Sequence, residues 1–365
     1  LKKHGLNQIT FMQFIFIIQG CQVGTGVFSL PRDLAEKAGT DGWISLILGY
    51  CINLIASIII VKVLEKYPDD TIFDLLIRLF GKFVGKAMAL PIILYFAFFV
   101  WTILTLTMLF IKHWFLQITP DYIVVCLLIA PGFLMVGKGL HVLGRYSELV
   151  FYMTVWMFFL LLFSLKDAQW IHLLPIIKEG WRPIFNGVES SIFSFLGFEI
   201  VLVLYPFLKK KHLAVRGIVI ANSITLFIYL GVTLICFAYF SPDGITDYNQ
   251  PLFNLLKMIE FHFLERFDMI FLALYLFVIS TAWLPYMFGA AFGANFLFGT
   301  KNTAPYGAVI LLSCVVLTVF IHPSWNETGQ WSTFISKVGI WFVYVCPFFL
   351  YLYVRIYNRF QRSDS

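Results

Sequence analysis

Long apolar runs alternate with short polar turns along the whole chain. Ten runs fit, or nearly fit, the roughly 20 apolar residues that a membrane-crossing helix needs. They extend from Ile9 to Ala35, Trp43 to Leu64, Val84 to Ile111, Tyr122 to Val136 and Ser147 to Leu165. The second five extend from Ile184 to Leu208, Leu213 to Phe240, Phe267 to Phe298, Pro305 to Ile321 and Phe334 to Tyr357. The polar stretches between them are too short to fold alone. The pattern predicts an all-α polytopic membrane protein of ten transmembrane helices, a single integral membrane domain over residues 1–365.

Two runs depart from a plain helical pattern. The first contains Gly20-Cys21-Gln22-Val23-Gly24-Thr25-Gly26-Val27-Phe28-Ser29-Leu30-Pro31. Its glycines, threonine and proline lower helix propensity. Broken backbone in lipid is tolerated only where it is buried in protein or lines a cavity. The competing reading is that the glycines only let helices pack closely. The sixth run, Ser190 to Ile200, places Gly197 and then Glu199 in mid-span. An ionisable residue there marks a functional site by default. These runs open two five-helix sets, approximately 9–165 and 184–357, and an odd number of helices inverts the second set. Interrupted helices at matching positions of inverted halves point to a transporter-type site.

Such a site has a definite chemistry. Free amides at half-helix N-termini suit a carboxylate, and unwound carbonyls suit an ammonium group or cation. An amino acid zwitterion satisfies both. The third and eighth runs would supply walls, with Tyr95, Trp101 and Thr102 on one and Ser280, Thr281, Pro285 and Tyr286 on the other. Glu199 either touches ligand or caps the free amides of the break. Ser280 and Thr281 either offer oxygens to a sodium ion or bond back to their own helix. The fifth run has no lysine or acid between Leu149 and Leu165, so no built-in coupling charge stands there.

Charge sets the expected orientation. With the N-terminus inside, 17 of the 26 lysines and arginines fall inside, among them Lys2, Lys3, Lys210, Lys301, Arg355, Arg359 and Arg362. The positive-inside rule favours both termini on that side. The outer stretch Ser241 to Arg266 carries the turn signal Pro242-Asp243-Gly244, then an amphipathic piece with Leu252, Leu255, Leu256 and Ile259. On the inner side, Thr71 is placed to cap a short helix over Ile72 to Phe80.

Composition agrees with a membrane chain: 13% of residues are charged and 60% are hydrophobic, against about 25% charged in soluble proteins. The net charge of +6 comes from basic residues at span ends. The partner it implies is the lipid bilayer, not nucleic acid. Six isolated cysteines and seven scattered histidines form no metal spacing. Gly24-Thr25-Gly26 lacks the strand–helix setting of a dinucleotide loop. No enzymatic motif, metal site or cofactor is expected.

Several motifs taken in order carry a resemblance. They are Gly24-Thr25-Gly26 through Ser29-Leu30-Pro31-Arg32, then Asp41-Gly42-Trp43, Tyr67-Pro68-Asp69 with Thr71, Phe80-Gly81-Lys82 and Gly85-Lys86. Arg145-Tyr146-Ser147-Glu148, Leu174-Pro175-Ile176 and Gly197-Phe198-Glu199 with Pro206-Phe207 complete the set. The chain resembles the amino acid–polyamine–organocation (APC) superfamily and, within it, the B subunits of the GerA-type spore germinant receptors of Bacillus-like bacteria. The resemblance implies a LeuT-like 5+5 inverted repeat with helices one and six broken. It implies a small germinant, an amino acid, bound at Gly24, Thr25 and Gly26, at Phe195, Leu196, Gly197, Phe198 and Glu199, and at Tyr95, Thr281 and Tyr286. It also implies an A-type membrane subunit and a C-type lipoprotein as partners in the spore inner membrane. The alternative is a proton- or sodium-coupled amino acid transporter. A scaffold that kept the fold and lost its ligand is a third reading.

Overall fold

The computed structural model describes residues 7–135, 137–241, 244–258, 267–300 and 302–363. Lys2, Lys3, Val136, Pro242, Asp243, Ile259, Arg266 and Lys301 lie outside the described residues, as do the side chains of Arg355, Arg359 and Arg362. The described residues are helical and carry no strand. A lone parallel bridge joins Ile9 to Leu208. The helices are α1 (Phe11–Gln22), α2 (Leu30–Ala38), α3 (Gly42–Leu64), α4 (Ile72–Trp114), α5 (Asp121–Met135), α6 (Leu140–Leu160) and α7 (Trp181–Ser194). They continue as α8 (Val201–Leu204), α9 (Ala214–Tyr239), α10 (Pro251–Lys257), α11 (Phe267–Phe298), α12 (Ala304–Ile321), α13 (Trp325–Ile340) and α14 (Cys346–Ser363).

Seven helical stretches among the described residues are long and apolar enough to cross a membrane. The number is eight when Trp181–Ser194 and Phe198–Phe207, bent by 43°, count as one. The other two expected segments are the shorter apolar helices α1 and α5. α1 stops at Gln22 because the glycines that follow do not sustain it; a 3₁₀ turn over Thr25–Phe28 leads into α2.

Local sequence explains several boundaries. Thr10 and Gln13 form a capping box at the start of α1. Thr71 and Asp74 form another at α4. The cap expected at Thr71 is therefore present, but the helix does not end at Phe80. It turns at Gly81, where φ is +82°, a conformation costly for any residue with a side chain. It then runs on to Trp114 with Pro91 inside it. α10 buries Leu252, Leu255 and Leu256, the apolar face expected of this piece.

The connections gather at two ends of the bundle. At one end Ile9 bonds to the backbone of Phe207 and Lys209, Lys211 reaches Asp69, and Lys86 reaches the Leu297 carbonyl. At the other end Arg32 meets Asn249, Lys112 meets Asp121, and Asp41 accepts from the amide of Ile177. Between these ends α1 packs on α6, α9 and α11, and α7 packs on α2 and α3. The two interruptions therefore face each other in the middle of the bundle.

Candidate functional site

The interruptions touch through their backbones. Gly197 has φ +133°. A Cβ added there would lie 2.7–2.8 Å from backbone atoms of Cys21 and Gln22. Only glycine permits both the dihedral and the approach.

Buried side chains of the protein partner much of the backbone at the α7/α8 break. Glu199 is fully buried. One carboxylate oxygen accepts from the Gly197 amide at 2.7 Å. The other accepts from the Tyr95 hydroxyl at 2.9 Å and the Tyr286 hydroxyl at 2.5 Å. On the carbonyl side, Gln22 donates to Phe195 O at 2.9 Å. Tyr229 donates to Ser194 O at 3.2 Å and to Gln22 O at 2.6 Å.

Gln22 also belongs to a buried polar network. Its amide nitrogen donates to the Asn222 side chain at 2.6 Å, and its oxygen accepts from Thr225 at 2.7 Å. Asn53 donates to Asn222 at 2.8 Å, and Asn222 donates to Ser57 at 3.2 Å. Tyr344 donates to Asn53 at 3.2 Å. The network ties the first interruption to α3, α9 and the stretch between α13 and α14. Buried polar groups in membrane helices need such partners.

The first interruption borders a cavity. The Gly24 carbonyl accepts from Tyr275 at 2.8 Å. The amides of Thr25 and Gly26 open the 3₁₀ turn, where no intrahelical acceptor exists, and no other acceptor reaches them among the described residues. These residues border a cavity of about 120 Å³, roughly four water molecules' share of liquid volume. Its lining joins Cys21, Gln22, Gly24, Thr25 and Gly26 to Phe193, Ser194 and Leu196 of the second break. Phe99, Thr102, Ile103 and Leu106 of α4 form one wall, and Ser332, Ile335 and Ser336 of α13 another. The hydroxyls of Thr25, Ser332 and Ser336 have no hydrogen-bond partner among the described residues. A Cβ added at Gly26 would meet nothing within 4 Å, and one at Gly24 would make ordinary contact with Ala282.

The residues expected at the site thus fall into four places. Gly24, Thr25, Gly26 and Leu196 line the cavity, with Thr102 beside them. Tyr95, Gly197, Glu199 and Tyr286 form the buried carboxylate cluster. Phe195 and Phe198 are buried, their rings packed on Tyr229 and Tyr344. Thr281 stands elsewhere: its hydroxyl bonds back to Val278 O, and a Cβ on Gly20 would meet it at 2.7 Å. Ser280 likewise bonds to Phe277 O. Trp101 stacks on Trp331 at 4.5 Å. Sequence reading misses Ser332, which precedes the tenth apolar run at Phe334, and Ser336, which lies inside that run without its partner. Their i, i+4 spacing would have placed them on one helical face. It also misses the Asn53–Asn222 pair, although a mid-span asparagine in each of two apolar runs is a signal of interhelical bonding. Among the described residues no group of three or more metal-ligating side chains occurs.

Comparison with known proteins gives a consistent result. The sequence profile described as "Spore germination protein" matches residues 8–329. Spore germination protein A2 of Bacillus subtilis (strain 168) is 29% identical over 98% of each chain. Spore germination protein B2 of the same organism is 26% identical, also over 98% of each. Among solved structures, MhsT in complex with L-phenylalanine has a TM-score of 0.57 at 11% identity, covering 96% of this chain and 99% of that one. A substrate-bound Na+-coupled sialic acid symporter has a TM-score of 0.58 at 11% identity, covering 94% and 75%. The fold resembles that of these transporters. By sequence the chain falls with spore germination proteins, and by fold it is similar to transporters of solved structure.

Proposed function

The chain belongs to the spore germination protein family, and from that premise we propose that it is the germinant-sensing membrane subunit of a spore germination receptor. The germinant is a small molecule, an amino acid, held in the cavity where the two interruptions meet. One observation carries this reading: the unpaired Thr25 and Gly26 amides and the unpaired hydroxyls of Thr25, Ser332 and Ser336 border one cavity. Free amides at the start of a helical turn and nearby hydroxyls converge there, a donor set that suits a bound carboxylate. Leu196 and the α4 wall would sort the side chain. The Glu199 cluster and the Gln22–Asn222 network hold the frame around it.

Several features support ten spans in a 5+5 inverted repeat. Eight long spans and the two shorter apolar helices make ten. The pairings also reciprocate: α1 packs on α9 as α7 packs on α3. The positive-inside count then puts both termini inside, in the spore inner membrane. The Ile9–Leu208 bridge and the Asp69–Lys211 pair join connections that this topology assigns to one side. Kinship with spore germination proteins A2 and B2 supports partnership with an A-type membrane subunit and a C-type lipoprotein.

A second reading, a coupled amino acid transporter, is favoured by the structural likeness to MhsT. Against it stand the absence of a charged residue between Leu149 and Leu165 and the hydroxyls of Ser280 and Thr281, engaged by their own helix. The test is a thermal-shift screen of the purified chain in lipid nanodiscs against the standard amino acids, followed by flux in proteoliposomes. A ligand at 100 times its Kd stabilises by about 2.7 kcal/mol. Stabilisation by a small amino acid without flux supports the sensor. Flux supports the transporter, and no shift with any amino acid rejects both.

A further inference from the structure

Behind the first interruption lies a second and larger cavity, of about 500 Å³, between α1, α6, α9 and α11. That volume is in the range of small-molecule sites. Its walls are almost wholly aliphatic and aromatic. Along the α6 and α9 rim, Val155, Phe159, Ile220 and Phe227 are exposed on segments read as membrane spans, so the opening faces lipid.

The polar side chains on the walls are nearly all engaged. The hydroxyls of Ser147, Thr154, Ser223 and Thr281 donate to carbonyls of their own helices, and Tyr275 donates to Gly24 O. Gln19 of α1 is the exception. It is 6% exposed, it lines the cavity, and its carboxamide has no hydrogen-bond partner among the described residues.

This inventory selects a ligand class. An alkane would fill the space and leave the Gln19 carboxamide unpaired, at a cost. A charged head would be buried with no charged residue on the walls to offset it, which costs far more. We propose that the cavity binds an uncharged single-chain amphiphile entering from the bilayer. Its alkyl chain lies between α6 and α9 and its one polar group bonds to Gln19. The occupant would rest on Val23, next to Gln22 and Gly24 of the smaller cavity, so the two sites share α1 as a wall. This inference stands whether or not the smaller cavity takes an amino acid.

The test uses the full chain in nanodiscs and a diazirine-bearing analogue of 1-decanol, with 1-decanol and decane as competitors at equal mole fraction in the bilayer. The label should concentrate on groove residues of α6 and α9. Ile220→Trp, which fills the opening, should remove most of it. Decane should compete about fivefold or more weakly than 1-decanol, the floor for one unpaired buried group. Gln19→Leu should make the two competitors equal. Should that variant not accumulate, the comparison in the unmodified chain decides alone. Label spread evenly over exposed span residues such as Leu94, Leu127 and Phe320, or decane competing as well as 1-decanol, would overturn the proposal.

Discussion

The two interruptions solve the same problem in opposite ways. At the α7/α8 break buried side chains partner the backbone: Glu199 for the Gly197 amide, Gln22 for Phe195 O and Tyr229 for Ser194 O. At the α1/α2 break Tyr275 takes the Gly24 carbonyl, while the Thr25 and Gly26 amides face the cavity without acceptors. The glycines differ in the same sense. Gly197 is wedged against the backbone of Cys21 and Gln22, and Gly26 stands in open space. A break clamped by buried side chains acts as a fixed post, and one that borders a cavity is available to a ligand. Stability should therefore be concentrated at the second break and ligand affinity at the first.

The largest effect that could break this comparison is Gly197→Ala. Left-handed backbone strain costs on the order of 1–3 kcal/mol, and overpacking typically adds about 1–3 kcal/mol. The variant should fail to accumulate in the membrane, read by immunoblot and by its thermal midpoint. Normal accumulation would mean that the breaks do not interlock.

Glu199→Leu comes next. It deprives the Gly197 amide and the Tyr95 and Tyr286 hydroxyls of their acceptor, at about 1–3 kcal/mol for each group left unpaired. The thermal midpoint should fall by several degrees. Glu199→Gln keeps one acceptor oxygen and should fall less. Equal midpoints for the parent and the leucine variant would remove the carboxylate from its capping role.

Gln22→Leu sharpens the comparison, because Gln22 serves both breaks. It removes the bonds to Phe195 O, Asn222 and Thr225, so it should lower both stability and affinity. A stability loss with unchanged affinity would separate the network from the cavity. Smallest is the Ser332→Ala, Ser336→Ala pair. Each hydroxyl contact is worth about 0.5–1.5 kcal/mol, so affinity should drop about two- to twelvefold per serine. Apo stability should stay within about 0.5 kcal/mol. Isothermal titration against the amino acid found in the screen reads the affinity, and denaturant unfolding reads the stability.

Much of the fold was legible because membrane spans follow from composition and run length. The position of each interruption was legible too, since Gly20 to Pro31 and Gly197 to Glu199 break helical propensity in plain view. What glycine content does not encode is neighbourhood. Gly26 sits in the Gly-Thr-Gly stretch and Gly49 stands alone in the second run, yet a Cβ at Gly49 would meet Ser191 Cβ at 2.4 Å and one at Gly26 would meet nothing within 4 Å. The division between Glu199, buried in a tyrosine cage, and Thr25, at the cavity, depends on which helices cross. That is set by packing between α4, α11 and α13, far apart in the chain. Ser332 of α13 was hidden for a simpler reason: Trp325 to Thr333 is too polar to read as part of a span, and Ser336 inside the run shows no face without it.

The central claim is that ligand is held at the first interruption, and Gly26→Ala tests it most directly. The added methyl meets no protein atom within 4 Å, so the apo protein should accumulate and melt as the parent does. It enters the space a ligand would use, where misfit typically costs about 1–3 kcal/mol. The measurement is the Kd of the amino acid identified in the thermal-shift screen, for the parent, for Gly26→Ala and for the control Gly329→Ala in α13. At Gly329 an added Cβ also meets nothing within 4 Å, and the residue does not line the cavity. The account predicts a Kd raised about tenfold for Gly26→Ala, since about 1.4 kcal/mol is a factor of ten, with the apo midpoint and the Gly329→Ala affinity unchanged. An unaltered Kd for Gly26→Ala at normal protein level would contradict it and return the glycines of the first interruption to a packing role.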